Sequence, residues 1–176
     1  METLTAQALL DDLVQQTISR KKDKASGDGD KDLMAALHLV YEPEREYAIC
    51  VIPEGPDLIP LVLWAMEAQH NGKRPTLVGF TSDAYMRIAK SMDEVDAIRR
   101  GDLKREFEAG RPNTQETLIV LVADVATNTV AGVNVSYVVS EGTPIFEDPM
   151  QFDAADYGAV VDGIRAGLHL DQKGEE

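Results

Sequence analysis

Cysteine and histidine are scarce in this chain. Cys50 is the single cysteine among 176 residues, so no disulfide can form within the chain, and a cysteine-rich zinc site is excluded. The three histidines are His38, His70 and His169, and no two of them have the spacing of a helical zinc motif. We therefore expect no metal site and no cofactor. A single cysteine also fits a reducing cytoplasm.

Basic residues are also few. Lysine and arginine number 17 against 31 aspartate and glutamate residues, which gives a net charge of −14 and a pI of about 4.5. Binding to a nucleic-acid backbone requires clustered positive charge, and an anionic membrane surface selects for it as well. The sequence therefore predicts no direct contact with nucleic acid or membrane.

Long apolar runs and catalytic motifs are missing. The longest apolar stretch, residues 58–66, contains Pro60 and is too short to span a bilayer, and residues 1–12 lack the pattern of a signal peptide. We expect a soluble, cytoplasmic protein. No nucleophile elbow, phosphate-binding loop or dinucleotide fingerprint occurs, and Cys50 lies in an apolar strand pattern that predicts an unreactive thiol. A non-enzymatic protein is favoured, although an enzyme based on carboxylates stays open.

The sequence divides into four parts. Residues 1–20 contain an amphipathic helix, residues 21–31 read as a flexible linker, residues 32–170 form one α+β domain, and residues 171–176 form a disordered tail. The apolar side of the helix includes Leu9, Leu13 and Ile18. This tethered helix either packs on its own domain or serves as the interface helix of a homo-oligomer.

The pattern of the central part predicts a mixed sheet of four or five strands with helices packed on it. The strand pattern of residues 47–52, the helix pattern of 57–69 and the strand pattern of 76–80 suggest a parallel βαβ crossover. Residues 117–125 and 130–139 predict a C-terminal antiparallel hairpin. Further helices are predicted over residues 31–40, 83–90, 93–109 and 153–168.

Negative charge is densest at the end of the chain. Residues 141–176 contain nine acidic residues against Arg165 and Lys173, so this fifth of the sequence carries a charge of −7. The candidate partner-binding residues are Glu141, Glu147, Asp148, Asp153 and Asp156. Such a surface attracts a basic protein.

Three functions follow as hypotheses. The first is a small acidic, non-enzymatic protein that binds a basic protein partner as an adaptor, inhibitor or immunity-type protein. The second is a hydrolase that uses paired carboxylates, with or without a metal ion. The third is a self-assembling structural subunit that associates through its N-terminal helix and through the apolar helix predicted over residues 57–69.

Overall fold

A curled antiparallel sheet of seven strands lies at the centre of the molecule, in a computed structural model that describes residues 2–28, 33–52, 55–87, 91–93, 96, 114–152 and 158–170. The strands are β1 (Ala36–Tyr41), β2 (Glu46–Val51), β3 (Leu77–Arg87), β4 (Thr114–Asp124), β5 (Thr129–Ser140), β6 (Thr143–Phe146) and β7 (Met150–Phe152). The described α-helices with full bounds are α1 (Ala6–Asp28), α2 (Ile59–Gln69) and α3 (Gly158–Gly167), and a 3-10 helix over Pro56–Leu58 precedes α2.

The strand order is β2-β1-β3-β4-β5-β6, and every pairing along it is antiparallel. The short strand β7 pairs with β5 beside β6. This order places β2 at one edge of the sheet and β6 at the other.

Helices cover both faces of the sheet. On one side, here called the α1 face, Leu9, Leu10, Leu13 and Val14 of α1 pack on the apolar side chains of β3, β4 and β5. Burying each of these four side chains contributes about 2 kcal/mol. On the opposite face, α2 and α3 pack together over β1, β3 and β4. The two-sided cover explains why the central strands are apolar throughout and do not alternate.

The mixed sheet with a βαβ crossover is contradicted by the structure, because the sheet is antiparallel along its whole order. Strands β2 and β3 do run in the same direction, but β1 lies between them and pairs with both. The predicted helix over residues 31–40 is also wrong, because residues 36–40 belong to strand β1, and residues 31–32 lie outside the described residues. All six residues of β1 are buried, so the strand shows no alternation, and pairing on both sides outweighs its helix-favouring Leu and Ala content.

The predicted helix over residues 83–90 is wrong for residues 83–87, because β3 continues to Arg87 along an eleven-residue pairing with β4, and residues 88–90 lie outside the described residues. Most of the predicted helix 93–109 lies outside the described residues, as does the tail 171–176.

Helix α1 continues to Asp28, whereas the sequence predicts a linker from residue 21. Two contacts of the linker residues explain the longer helix. Lys21 is 4 % exposed and pairs with Asp83, and the Lys22 ammonium lies 5.8 Å from the centre of the Phe146 ring. Among the described residues, no helix combines the length and apolar character needed to cross a membrane.

Candidate functional site

The edge strand β2 exposes a row of apolar side chains. Tyr47, Ile49 and Val51 are 61 %, 64 % and 51 % exposed, and because alternate residues of a strand share a face, all three lie on the α1 face. Ala48 and Cys50 point to the other face and pack on its core. Burial raises the pKa of the Cys50 thiol, which keeps it protonated and unreactive.

The backbone of the same three residues points away from the sheet. The Ile52 N–H donates to the Ala35 carbonyl at 2.7 Å, so residue 52 faces β1. Strand residues alternate in the direction of their backbone groups, so those of Tyr47, Ile49 and Val51 face outward. In the described part of the chain, no strand pairs with this outer edge.

The two edges of the sheet are built differently. Natural proteins protect edge strands with short length, proline, bulges or lysine. Strand β6 has four residues, one of which is Pro144. Strand β2 has six residues without proline or lysine, and its only charged side chain is Glu46 at its start. Of the two, β2 is the edge suited to accept a further strand.

A groove of about 260 Å³ runs between α1 and β2. It is lined by Leu9, Asp12, Leu13, Gln16, His38, Leu39, Tyr47, Ala48 and Ile49. The N-terminal end of α1 is fixed beside the β1–β2 turn, where the Leu4 N–H donates to the Glu42 carboxylate at 3.1 Å. The helix therefore forms one wall of the groove and the edge strand forms the other.

His38 closes the floor of this groove. Its Nε2 lies 2.9 Å from the Thr81 hydroxyl oxygen, and the residue is 7 % exposed. Burial, and secondarily the charge of Arg20, lowers the pKa of His38 from 6.5 to about 4. The imidazole is therefore neutral near pH 7.

A buried polar cluster fixes the second half of α1. The Lys21 Nζ lies 2.6 Å from Asp83 Oδ2, the Tyr137 hydroxyl donates to Asp83 Oδ1 at 2.6 Å, and the Leu33 N–H donates to Oδ2 at 3.1 Å. The Lys21 and Asp83 side chains are 5 % and 1 % exposed. All these partners are internal to the chain, so the cluster holds α1 on the sheet and offers no access to a substrate.

A shallow depression of about 330 Å³ lies beside α2 and the end of α3. Trp64 and His169 are stacked there, with ring planes 10° apart and centres 6.3 Å apart. His169 Nε2 lies 3.4 Å from Glu67 Oε2. These side chains are substantially exposed, and the depression is too open to shield a reaction from water.

The carboxylates that the sequence singles out do not form a recessed site among the described residues. Glu141 is exposed in the β5–β6 turn, and Glu147 and Asp148 are exposed just after β6. Asp153 and Asp156 lie outside the described residues. Within the ranges described, no group of three or more histidine, cysteine or acidic side chains could hold a metal ion.

The candidate interface helix packs on its own chain. Leu9 and Leu13 are 4 % and 3 % exposed against the sheet, and Ile18 packs at the margin of the same core. Their apolar surface is therefore used within the molecule.

The edge strand was not predicted as a site, although residues 47–52 were predicted to form a strand. The alternation of large Tyr47, Ile49 and Val51 with small Ala48 and Cys50 was the available signal. What the sequence does not reveal is that β2 is at an edge, since this depends on pairing with β1, which was predicted as a helix.

No known protein family, curated protein or solved structure matches this chain.

Proposed function

We propose that this is a non-enzymatic binding protein, and that a basic protein partner docks on it by adding an extended segment alongside β2. The observation that carries the proposal is the row of Tyr47, Ile49 and Val51, exposed on a strand whose outer edge is unpaired in the described part of the chain. Addition of a strand to an open sheet edge is a common mode of peptide recognition.

The backbone supplies the affinity of such a complex. An antiparallel segment opposite the three outward-facing residues exchanges two hydrogen bonds with each of them. The side chains of the segment that share their face then cover Tyr47, Ile49 and Val51. Covering these apolar groups adds to that affinity, at roughly 25 cal/mol per Å² of apolar surface removed from water.

Charge supports a basic partner over a second copy of this chain. Asp11 and Asp12 of α1 and Glu46 at the start of β2 are exposed, and the whole molecule carries −14. Pairing two β2 edges would bring these like charges together, whereas lysine and arginine on a partner are attracted to them.

Photo-crosslinking from the edge tests the proposal. Benzoylphenylalanine in place of Tyr47 is expected to link a protein rich in lysine and arginine in the cells that make this chain. The same group in place of Ile145 on the opposite edge is the control. A link only to a second copy of this chain, or the same product from both positions, would contradict the proposal.

The linked protein is then purified and its affinity measured directly. Ile49→Lys should weaken binding by at least about tenfold, since it removes an apolar contact and adds repulsion to a basic partner. Ile145→Lys is the matched control, because Ile145 is also an exposed isoleucine of an edge strand, at 56 % against 64 %. Rising salt should weaken binding as well. Equal loss in the two variants refutes docking at β2.

A further inference from the structure

We infer that the groove between α1 and β2 is a pocket for one lysine or arginine side chain of the partner's extended segment. This inference rests on the proposed function and adds the chemistry that the site recognises. It is carried by the placement of Asp12 at an otherwise largely apolar groove next to the open edge.

The walls of the groove suit an alkyl stem. Leu9 and Leu13 of α1 face Ile49 of β2 across it, and about 260 Å³ accommodates a long side chain. A strand added to β2 lies about 4.8 Å beyond it, so a lysine or arginine on the α1 face reaches over β2 into the groove. Long basic side chains commonly lie with their stems on apolar surface and their charged ends near water.

Asp12 supplies the complementary charge. Among the described residues that line the groove, it is the only carboxylate. Gln16 Nε2 donates to Asp12 Oδ2 at 2.9 Å, which orients the carboxylate. An ionised carboxylate has about four acceptor positions, so it still accepts from an ammonium or guanidinium group.

The floor of the groove does not oppose a cation at neutral pH. His38 is held by Thr81 and is uncharged there, so it adds no repulsion. The nearest basic residue along this side of α1 is Arg20, one turn beyond Gln16. Negative charge at Asp12 and positive charge at Arg20 therefore place the basic side chain at the Asp12 end of the groove.

A peptide titration tests this assignment. The probes are capped peptides of six residues, the length of β2, that alternate valine and threonine and carry lysine, arginine, norleucine or glutamate at one α1-face position. Amide shifts of Tyr47, Ile49 and Val51 in the full chain report binding by NMR. The lysine and arginine peptides should bind about fivefold more tightly than the norleucine peptide, as expected for a partly exposed ion pair.

Asp12→Asn and Asp11→Asn form a matched pair of variants. Both remove one exposed carboxylate from α1, and each native carboxylate accepts from a glutamine four residues away, but only Asp12 lines the groove. Asp12→Asn should abolish the preference for lysine and arginine, and Asp11→Asn should keep it.

The outcomes separate the inference from the proposed function. If the peptides shift the β2 amides but the preference is absent, or survives Asp12→Asn, the pocket assignment is overturned and docking at the edge stands. If none of the peptides shifts these amides, the proposed docking at β2 is contradicted and the pocket assignment fails with it.

Discussion

Lys21→Met removes the ammonium group that pairs with the buried Asp83 carboxylate. The two side chains are 5 % and 1 % exposed, with Nζ and Oδ2 2.6 Å apart. Methionine has a similar length and fills the same space, so the change tests the charge and not the packing. Because Asp83 then remains buried without its counter-ion, the free energy of unfolding should fall.

The size of this loss in the free energy of unfolding depends on the hydrogen bonds that Asp83 keeps. Removing one partner of a buried ion pair costs about 3–5 kcal/mol. The Tyr137 hydroxyl and the Leu33 N–H still donate to the carboxylate, which places the loss near the lower end, at about 3 kcal/mol. For a chain of this length each kcal/mol shifts Tm by about 2–4 °C, so Tm should fall by about 6–12 °C.

Urea and thermal unfolding, followed by circular dichroism, measure the effect. Lys22→Met is the matched control: its ammonium lies 5.8 Å from the Phe146 ring centre, a contact worth about 1 kcal/mol or less. The double variant Lys21→Met/Asp83→Asn removes the unpaired charge and keeps an acceptor, so it should recover about 1–2 kcal/mol. Losses within about 0.5 kcal/mol of each other for Lys21→Met and Lys22→Met would refute the buried pair.

Two further predictions concern packing and pH. Gly167→Ala should lower the free energy of unfolding by about 1–3 kcal/mol, because the added Cβ would lie 2.8 Å from the Leu63 Cβ. Gly158→Ala in the same helix is the control: its added Cβ meets nothing within 4 Å, so the free energy of unfolding should not change. The midpoints of urea unfolding measure both effects. Because the folded pKa of His38, about 4, lies below its unfolded value of 6.5, its stabilising contribution is complete above pH 6.5 and is lost as pH falls towards 4. Stability should therefore drop by about 2 kcal/mol more between pH 7 and 5 in the native chain than in His38→Gln, and equal slopes would contradict the buried neutral imidazole.

Sequence patterns predicted the elements whose neighbours are close in the chain. The apolar run 118–123 and the alternation after it indicate the hairpin of β4 and β5, and residues 57–69 indicate the helix found as α2. Both depend on local pattern and a short connection. The prediction of a mixed sheet failed because β1 is buried on both faces and therefore shows no period of two in its sequence.

The candidate site was less accessible to sequence reasoning than the fold. The charge of −14 indicated a basic partner, and that hypothesis stays a prediction. Exposure of Ile49, however, depends on strand order, and the role that we infer for Asp12 depends on how α1 lies against β2. Neither relation is local in the chain, so no spacing or motif could have revealed it. Glu147 and Asp148 were predicted as partner-binding residues only because their negative charge can be read from the sequence.

The architecture favours β2 as the place where we propose that a partner docks. Over the central strands both faces of the sheet are covered, by α1 on one side and by α2 and α3 on the other. In the described part of the sheet, a partner can therefore form backbone hydrogen bonds only at the edge strands. Of these, β6 is short and contains proline. In the proposed complex, charge and apolar surface have separate effects. The net charge would raise the association rate of a basic partner, and the row of Tyr47, Ile49 and Val51 would lower its dissociation rate. A partner that had only positive charge would bind fast and leave fast, which is why we place recognition at the strand and not at the acidic surface alone.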